Sequence, residues 1–473
     1  MPQRLDDLRQ SANNWLLSGD FQQLIQLTEQ LYLELSQWTQ QGIAPKVLIA
    51  EQEPVKFLAG FIAASAASCP VFLCNHHWVQ QEWQQVFKIV QPDLILGCGD
   101  WGLEIKNYYP TSGPFLNPNW VMIPTGGSSG NIRFAIHTWE TLTASVVGFQ
   151  QYFQLQEINS FCTLPLYHVS GIMQFMRSFN TNGKLIIQPF KQLETNLFKA
   201  PVSDFFISLV PTQLQRLLEK PDTAKWLSTF KAVLLGGAPA WQELLETARQ
   251  YQINLALTYG MTETASGIAI LKPEDFLKGE SNCGQILPHS KVSICNDAGE
   301  NLKQNEVGTI AISSQSLALG YYPNLFKNRE NFRLDDLGFI DSKGYLNLVG
   351  RSSNKIITGG ENVYPIEVEA AIRATNLVKD VCVVGASDRL WGQVVIAIYV
   401  KKEQKVSTTK LQIAIADKLS KYKQPKQWIA VEQIPRNSQS KVNYKQINAI
   451  VEESNILEDV LKVGNKGKKA HKA

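Results

Sequence analysis

Cysteine is scarce in this 473-residue chain: seven residues, at 69, 74, 98, 162, 283, 295 and 382, with no CxxC pair. Their odd number and scatter argue against a disulfide frame and for a reducing compartment. An excess of one charge is also missing. The 45 Lys and Arg face 42 Asp and Glu, a formal net charge of +3, which leaves no electrostatic footprint for nucleic acid. The one basic stretch, residues 462–473, reads as a solvated tail. Long apolar runs are lacking too. The least polar uncharged stretch, residues 57–74, is broken by Gly60, several Ser and Pro70, so a buried helix followed by a strand fits it better than a membrane span. The opening Met-Pro-Gln-Arg-Leu-Asp-Asp lacks the basic-then-apolar plan of a signal peptide, and a cytoplasmic protein is expected. Cys74-Asn75-His76-His77 has no second ligand group at suitable spacing nearby, so no structural metal centre is expected there.

What is present describes a globular protein: 44% apolar and 18% charged residues. The length suggests about three domains, or one large lobe and a smaller one. Short β-rich runs at 47–50, 71–73, 94–96, 121–123, 161–164, 185–187, 206–209, 233–235 and 255–257 alternate with amphipathic segments such as 79–90, 211–218 and 240–251. This alternation predicts an α/β lobe with largely parallel sheets. After residue 283 the pattern becomes β-rich, with strands at 292–295 and 309–312 and a hairpin over 339–349. A small α+β unit then follows, with a helix at 366–374, strands at 381–384 and 394–400, and a helix at 408–421. The boundary is placed at about residue 351, dividing the chain into 1–350 and 351–473.

Five polar segments carry candidate chemistry. Thr125, Gly126, Gly127, Ser128, Ser129 and Gly130 follow a strand; glycines can turn backbone N–H groups toward an anion, and hydroxyls add donors. The Walker pattern GxxxxGK[ST] is absent, which disfavours an ordinary P-loop enzyme. Arg133 can add a cation, although a surface arginine is usually just solvated. Thr258-Tyr259-Gly260-Met261-Thr262-Glu263 follows the strand at 255–257, where α/β sheets bind ligands. There Tyr259 can stack on a base, Thr262 can donate to a phosphate, and Glu263 can hold Mg²⁺. Gly236, Gly237 and Ala238 end another strand and can admit a flat ring. Asp336 can accept from ribose hydroxyls, with Arg351 following, although ordinary turn chemistry also explains such residues. Gly359 and Gly360 precede a helix. Lys441 stands in a polar loop, where a lysine is usually solvated.

Taken together, in this order, the five segments resemble the adenylate-forming superfamily of acyl-CoA synthetases, over residues 45 to about 450. The run from Leu164 through His168 to Gly171, the run Gly359 to Pro365 and the compact length are most similar to its o-succinylbenzoate–CoA ligase branch. The glycine-and-serine loop with Arg133 is similar to that of cyanobacterial members. The resemblance implies an enzyme that joins a small carboxylic acid, ATP and CoA, with Mg²⁺ at Glu263. It implies that residues 125–130 grip the β- and γ-phosphates, Tyr259 stacks on adenine, Thr262 meets the α-phosphate, Asp336 and Arg351 hold the ribose, and Lys441 meets the α-phosphate and carboxylate. The small domain would then swing about its hinge, bringing in the loop of Gly359 and Gly360 for thioester formation. His168 and Arg177 would flank the acid pocket, with Arg177 facing the carboxylate that does not react. Three departures stand out: Ile132-Arg133 where the family has Pro-Lys, Ser353 at the hinge, and Ser440 before the lysine. A ligase for another aryl or short-chain acid, an enzyme loading a carrier protein, and a homo-oligomeric state all stay open.

Overall fold

A computed structural model describes residues 15–97, 117–126, 132–388, 390–436 and 441–454, together with Asp6 and Leu8. Two seven-stranded sheets form most of the chain before residue 330. In the first, Val47–Ile49, Val71–Leu73, Leu94–Leu96 and Trp120–Gly126 run parallel. Ile132–Thr138 then folds back antiparallel on Trp120–Gly126. In the second, Asn159–Cys162, Leu185–Ile187, Phe205–Leu209, Ala232–Leu235 and Leu255–Met261 run parallel, with Ser266–Ile270 antiparallel at one side. The α/β expectation is met.

Helices Pro54–Ala66, Trp139–Phe153 and Val169–Asn180 lie between the two sheets and share one core with both. Val47 and Ile49 point into that core, while Leu48 points to the opposite face, against Trp83 and Val86 of helix Gln80–Val90. The second sheet repeats the scheme: Leu234 faces the shared core, and Val233 and Leu235 face Leu214 and Leu244 on the far side. Strands buried on both faces are apolar throughout, without alternation. Residues 57–74 form the end of a buried helix, whose entry is capped by Glu53 with Pro54 in the first turn, and then a strand. No described helix is long and apolar enough to cross a membrane.

Four antiparallel strands, Ser290–Cys295, Gly308–Ser314, Phe332–Ile340 and Leu346–Arg351, make the β-rich part. A five-stranded sheet follows, built on the long pair Val378–Asp388 and Gly392–Lys401. Some bounds differ from the sequence reading. The helix expected over 408–421 is Thr408–Ile415; beyond it Leu419 still packs against the core, but the chain continues in turns. The strand expected at 161–164 is Asn159–Cys162. Its register places Ser160 beside Leu185 and Phe206, so the parallel neighbours and not the apolar run set its limits.

Candidate active site

The site is assembled where parallel strands of the second sheet end. Ala232–Leu235 and Leu255–Met261 pair in register, and the Thr258 hydroxyl donates to the Leu235 carbonyl at 3.1 Å. Gly236, Gly237 and Ala238 leave the first strand, and Tyr259 and Gly260 lie on the second. Gly260 has a purely local reason to be glycine. An added Cβ would stand 2.0 Å from the Ser266 carbonyl oxygen, because Ser266–Ile270 crosses back at a bulge between Tyr259 and Gly260.

Tyr259 is buried, and its hydroxyl donates to Asp336 Oδ2 at 2.7 Å. Arg351 Nε donates to the other carboxylate oxygen at 3.0 Å. Asp336 and Arg351 face each other across the pair Phe332–Ile340 and Leu346–Arg351. Burial, and then Asp336, hold the Tyr259 phenol well above its usual range. Burial works against the Arg351 charge, and Asp336 outweighs it, so the guanidinium pKa is raised.

Thr262, Glu263 and Thr264 form one short 3₁₀ turn just beyond the strand end. Glu263 is buried, its carboxylate accepts from the Tyr321 hydroxyl, and its carbonyl accepts from the Ala318 N–H at 2.7 Å. His137, fully buried on Ile132–Thr138, sits 2.8 Å from the Thr262 carbonyl through Nε2. A carbonyl only accepts, so Nε2 carries the proton. Burial pushes the His137 pKa down to about 4, leaving a neutral ring as a fixed strut beneath the turn. The Tyr321 ring receives the Arg133 guanidinium at 4.3 Å from its centroid. Tyr321 and His137 were not singled out in the sequence. Each is a lone residue on a strand, and only the sheet pairing of Gly320–Tyr321 with Ile132–Thr138 sets them beside Glu263 and Thr262.

Arg133 is exposed and lies opposite Thr125 in the antiparallel pair, with Gly126 opposite Ile132. Gly127, Ser128, Ser129 and Gly130 lie outside the described residues.

Lys441 comes from the far end of the chain. Its side chain reaches solvent, yet lost solvation, and then Arg351, lower its pKa, while Glu263 and Asp336 oppose the shift. Coupling of that kind acts only between charges within about a Debye length of one another. His168, at the start of helix Val169–Asn180, reports the same proximity: burial, and then Lys441, push its pKa down to about 3. Lys441, Glu263, Asp336, Arg351 and His168 are thus gathered into one place.

Arginine on a helix is ordinarily solvated, but Arg177 is not. It is 4% exposed, because Val169–Asn180 lies between the sheets. Its guanidinium stacks on Phe149 at 4.4 Å and donates to Ser266 Oγ at 3.3 Å. It has no ion-pair partner among the described residues. Burial lowers its pKa to about 10. Gly359 and Gly360 turn the hairpin between Ile356–Thr358 and Glu361–Val363, and the Gly359 N–H donates to the Trp391 carbonyl at 2.8 Å, inside the small α+β unit itself.

A buried carboxylate, an aspartate clamped by Tyr259 and Arg351, and a lysine from the far end of the chain thus meet where parallel strands end. The family model for AMP-binding enzymes matches residues 118–322, the model for their C-terminal domain matches residues 367–441, and the chain belongs to this AMP-binding enzyme family. It is 31% identical over 324 residues to a 2-succinylbenzoate–CoA ligase of Enterococcus faecalis, covering 67% of each chain. It is 32% identical over 358 residues to the 2-succinylbenzoate–CoA ligase of Geobacillus sp., covering 74% of this chain and 71% of that one. Its fold is shared with o-succinylbenzoate CoA synthetase from Bacillus subtilis in complex with the acyl-adenylate intermediate (TM-score 0.81, 24% identity, 94% of this chain and 98% of that chain). The same enzyme in complex with ATP and magnesium ion also has TM-score 0.81 and 24% identity, over 95% of this chain and 99% of that chain.

Proposed function

We propose that the protein is an AMP-forming acid–CoA ligase that activates o-succinylbenzoate and passes it to CoA. The observation that carries this reading is the gathering of Lys441 with Glu263, Asp336 and Arg351 at one strand-end cleft. The choice of acid rests on the named relatives and on the buried, unpaired Arg177, which suits a second carboxylate.

In the first half-reaction, the acid carboxylate attacks the α-phosphorus of ATP, and pyrophosphate leaves with the broken bond's electrons. Tyr259 presents its ring to adenine, against Gly236, Gly237 and Ala238. Asp336 can still accept from ribose hydroxyls while held by Tyr259 and Arg351, since each carboxylate oxygen has two lone pairs. Thr262 donates to the α-phosphate, and residues 125–130 with Arg133 attend the β- and γ-phosphates. Lys441 supplies a donor aimed at charge that gathers during the attack.

Among the described residues no group of three or more His, Cys, Asp or Glu gathers. Glu263, a buried carboxylate at the strand end, still suits Mg²⁺, an ion commonly held by one or two carboxylates plus substrate phosphates. When bound, Mg²⁺ shields the charge of the departing pyrophosphate. Tyr321 orients Glu263 for this role. Tyr321→Phe should raise the Mg²⁺ concentration for half-maximal adenylation by roughly 10-fold. Mn²⁺ binding in the presence of ATP, followed by electron paramagnetic resonance, should weaken to match.

In the second half-reaction, the thiol of CoA attacks the acyl-adenylate and AMP leaves. We divide the chain into a lobe of residues 1–350 and a mobile unit of residues 351–473, which turns to bring Gly359 and Gly360 to the acyl group. Ser353 marks the hinge: its N–H donates to Asp335 Oδ1 at 2.9 Å and its hydroxyl to Oδ2. We place the protein in the cytoplasm, consistent with six described cysteines that are all unbridged.

The reading is tested by acid-dependent pyrophosphate release across a panel of acids. Release with o-succinylbenzoate, with CoA needed to complete turnover, is the expected result. Release with benzoate or a fatty acid but none with o-succinylbenzoate would contradict it.

A further inference from the structure

One polar side chain beside Arg177 is unexplained by the machinery above. His289 is 9% exposed and directly precedes strand Ser290–Cys295. Neither ring nitrogen has a hydrogen-bond partner among the described residues. The Nδ1 edge of the ring abuts helix Trp139–Phe153 at Gly148, where an added Cβ would stand only 1.8 Å from Nδ1, so Nε2 is the nitrogen left to meet a ligand. Gly148 is thus the opening that admits the imidazole. Next along that helix is Phe149, the ring beneath the Arg177 guanidinium. Arg177 bears directly on His289: burial, and then the Arg177 charge, push the His289 pKa down to about 4. The imidazole is therefore neutral at pH 7 and offers one N–H donor and one acceptor nitrogen.

Arg177 is itself incompletely satisfied. Among the described residues its Nε has no partner, and its one side-chain hydrogen bond is the 3.3 Å contact to Ser266. Ser266 immediately follows the turn and Ala265, so the cluster lies three residues from Glu263. Buried donors without partners are costly in a finished core. Two of them against neighbouring residues of one helix, one cationic and one neutral, close to the turn of Glu263, suit an anion. The backbone holding the ring is itself fixed: the His289 carbonyl accepts from the Ser314 hydroxyl at 3.2 Å and the Gln315 N–H at 3.3 Å.

We infer that His289 is a specificity-determining residue, which together with Arg177 receives the carboxylate of the acid that is not activated. This rests on the ligase reading above and deepens it. The carboxylate accepts from the Arg177 guanidinium and from the single imidazole N–H. A monocarboxylic acid leaves both donors unmatched, so selection against it follows from the unmatched donors as well as from shape.

The test compares His289→Phe with the unaltered protein in acid-dependent pyrophosphate release. His289→Phe keeps a planar ring and removes both nitrogens. KM for o-succinylbenzoate should rise by about 10-fold or more, the size of one lost hydrogen bond to a charged group. KM for ATP should stay within twofold, and the ratio of dicarboxylic to monocarboxylic acid turnover should fall. A second measurement needs no variant. Of the six histidines, His289 should show the largest imidazole NMR shift when o-succinylbenzoate is added with a non-hydrolysable ATP analogue, and a much smaller one with its monomethyl ester. An unchanged KM in a folded His289→Phe, or an unmoved His289 resonance on binding, overturns the assignment. Failure of the ligase reading shows differently, as an unaltered protein that releases no pyrophosphate with o-succinylbenzoate.

Discussion

Lys441→Ala should lower acid-dependent pyrophosphate release by about 10²- to 10³-fold, since a positioned donor at developing charge contributes on the order of 3 kcal/mol or more. Thioester formation from preformed acyl-adenylate should be largely retained. The split follows from where the lysine sits. Lys441 shares a cleft with Glu263 and Asp336, which favour its charge, and with Arg351, which opposes it. It is held there by a unit that, on the proposed mechanism, departs before CoA attacks. Its effect should therefore fall on kcat of adenylation more than on KM for the acid. The pH dependence has a sign as well. Lost solvation and Arg351 lower the Lys441 pKa below the ordinary 10.5. The active cation is then lost at lower pH than for a free lysine, so the alkaline limb of the adenylation rate should begin early. Lys441→Arg should move that limb upward. Stopped-flow measurement of both half-reactions checks the whole set, and undiminished adenylation by Lys441→Ala would remove the lysine from the mechanism.

Arg177→Met should raise KM for o-succinylbenzoate by about 10- to 100-fold, the range of a hydrogen bond to a charged group lost from a buried site. KM for ATP should hardly move. The same change should leave thermal stability level or raise it. Arg177 is buried with no ion-pair partner among the described residues, and burial lowers its pKa to about 10 from 12.5. A folded pKa below the unfolded one means that charging the group opposes folding. That cost is fully present at pH values below about 10 and is relieved only as pH rises through the folded pKa. Methionine fills similar volume without charge, and such replacements of buried charge are often neutral or stabilising. A residue kept for packing would give the opposite pattern, with lower Tm and unchanged KM. Calorimetry beside steady-state kinetics separates the two, and that opposite pattern would withdraw Arg177 from the acid site.

The candidate site was legible in the sequence wherever its parts are contiguous. Thr262 and Glu263 stand next to each other behind an apolar run, and the strand-then-turn order alone places them at a sheet end. Asp336 and Arg351 were legible for a similar reason, since a hairpin of strands makes them neighbours. Tyr321 and His137 were not. Tyr321 meets Glu263 and His137 meets the Thr262 carbonyl through contacts between separate sheets, and nothing local marks either residue. Arg177 carried a misleading local signal, because arginine on an amphipathic helix is ordinarily solvated. Helix Val169–Asn180 is packed on both sides by sheets, so residues 171–179 are all buried.

By itself, then, the sequence determined the α/β class, the positions of most strands, and the identity of the turns that can meet a nucleotide. Apolar runs of strand length and glycine-rich turns act within a few residues of chain, and their physics is local. The tertiary structure alone decided which charges share a cleft. It brought Lys441 within electrostatic reach of Glu263 and Asp336, and it buried Arg177 and His289 against the same helix, Trp139–Phe153. Solvation and Coulomb energies depend on distance and surroundings in space, and separation along the chain carries no information about either.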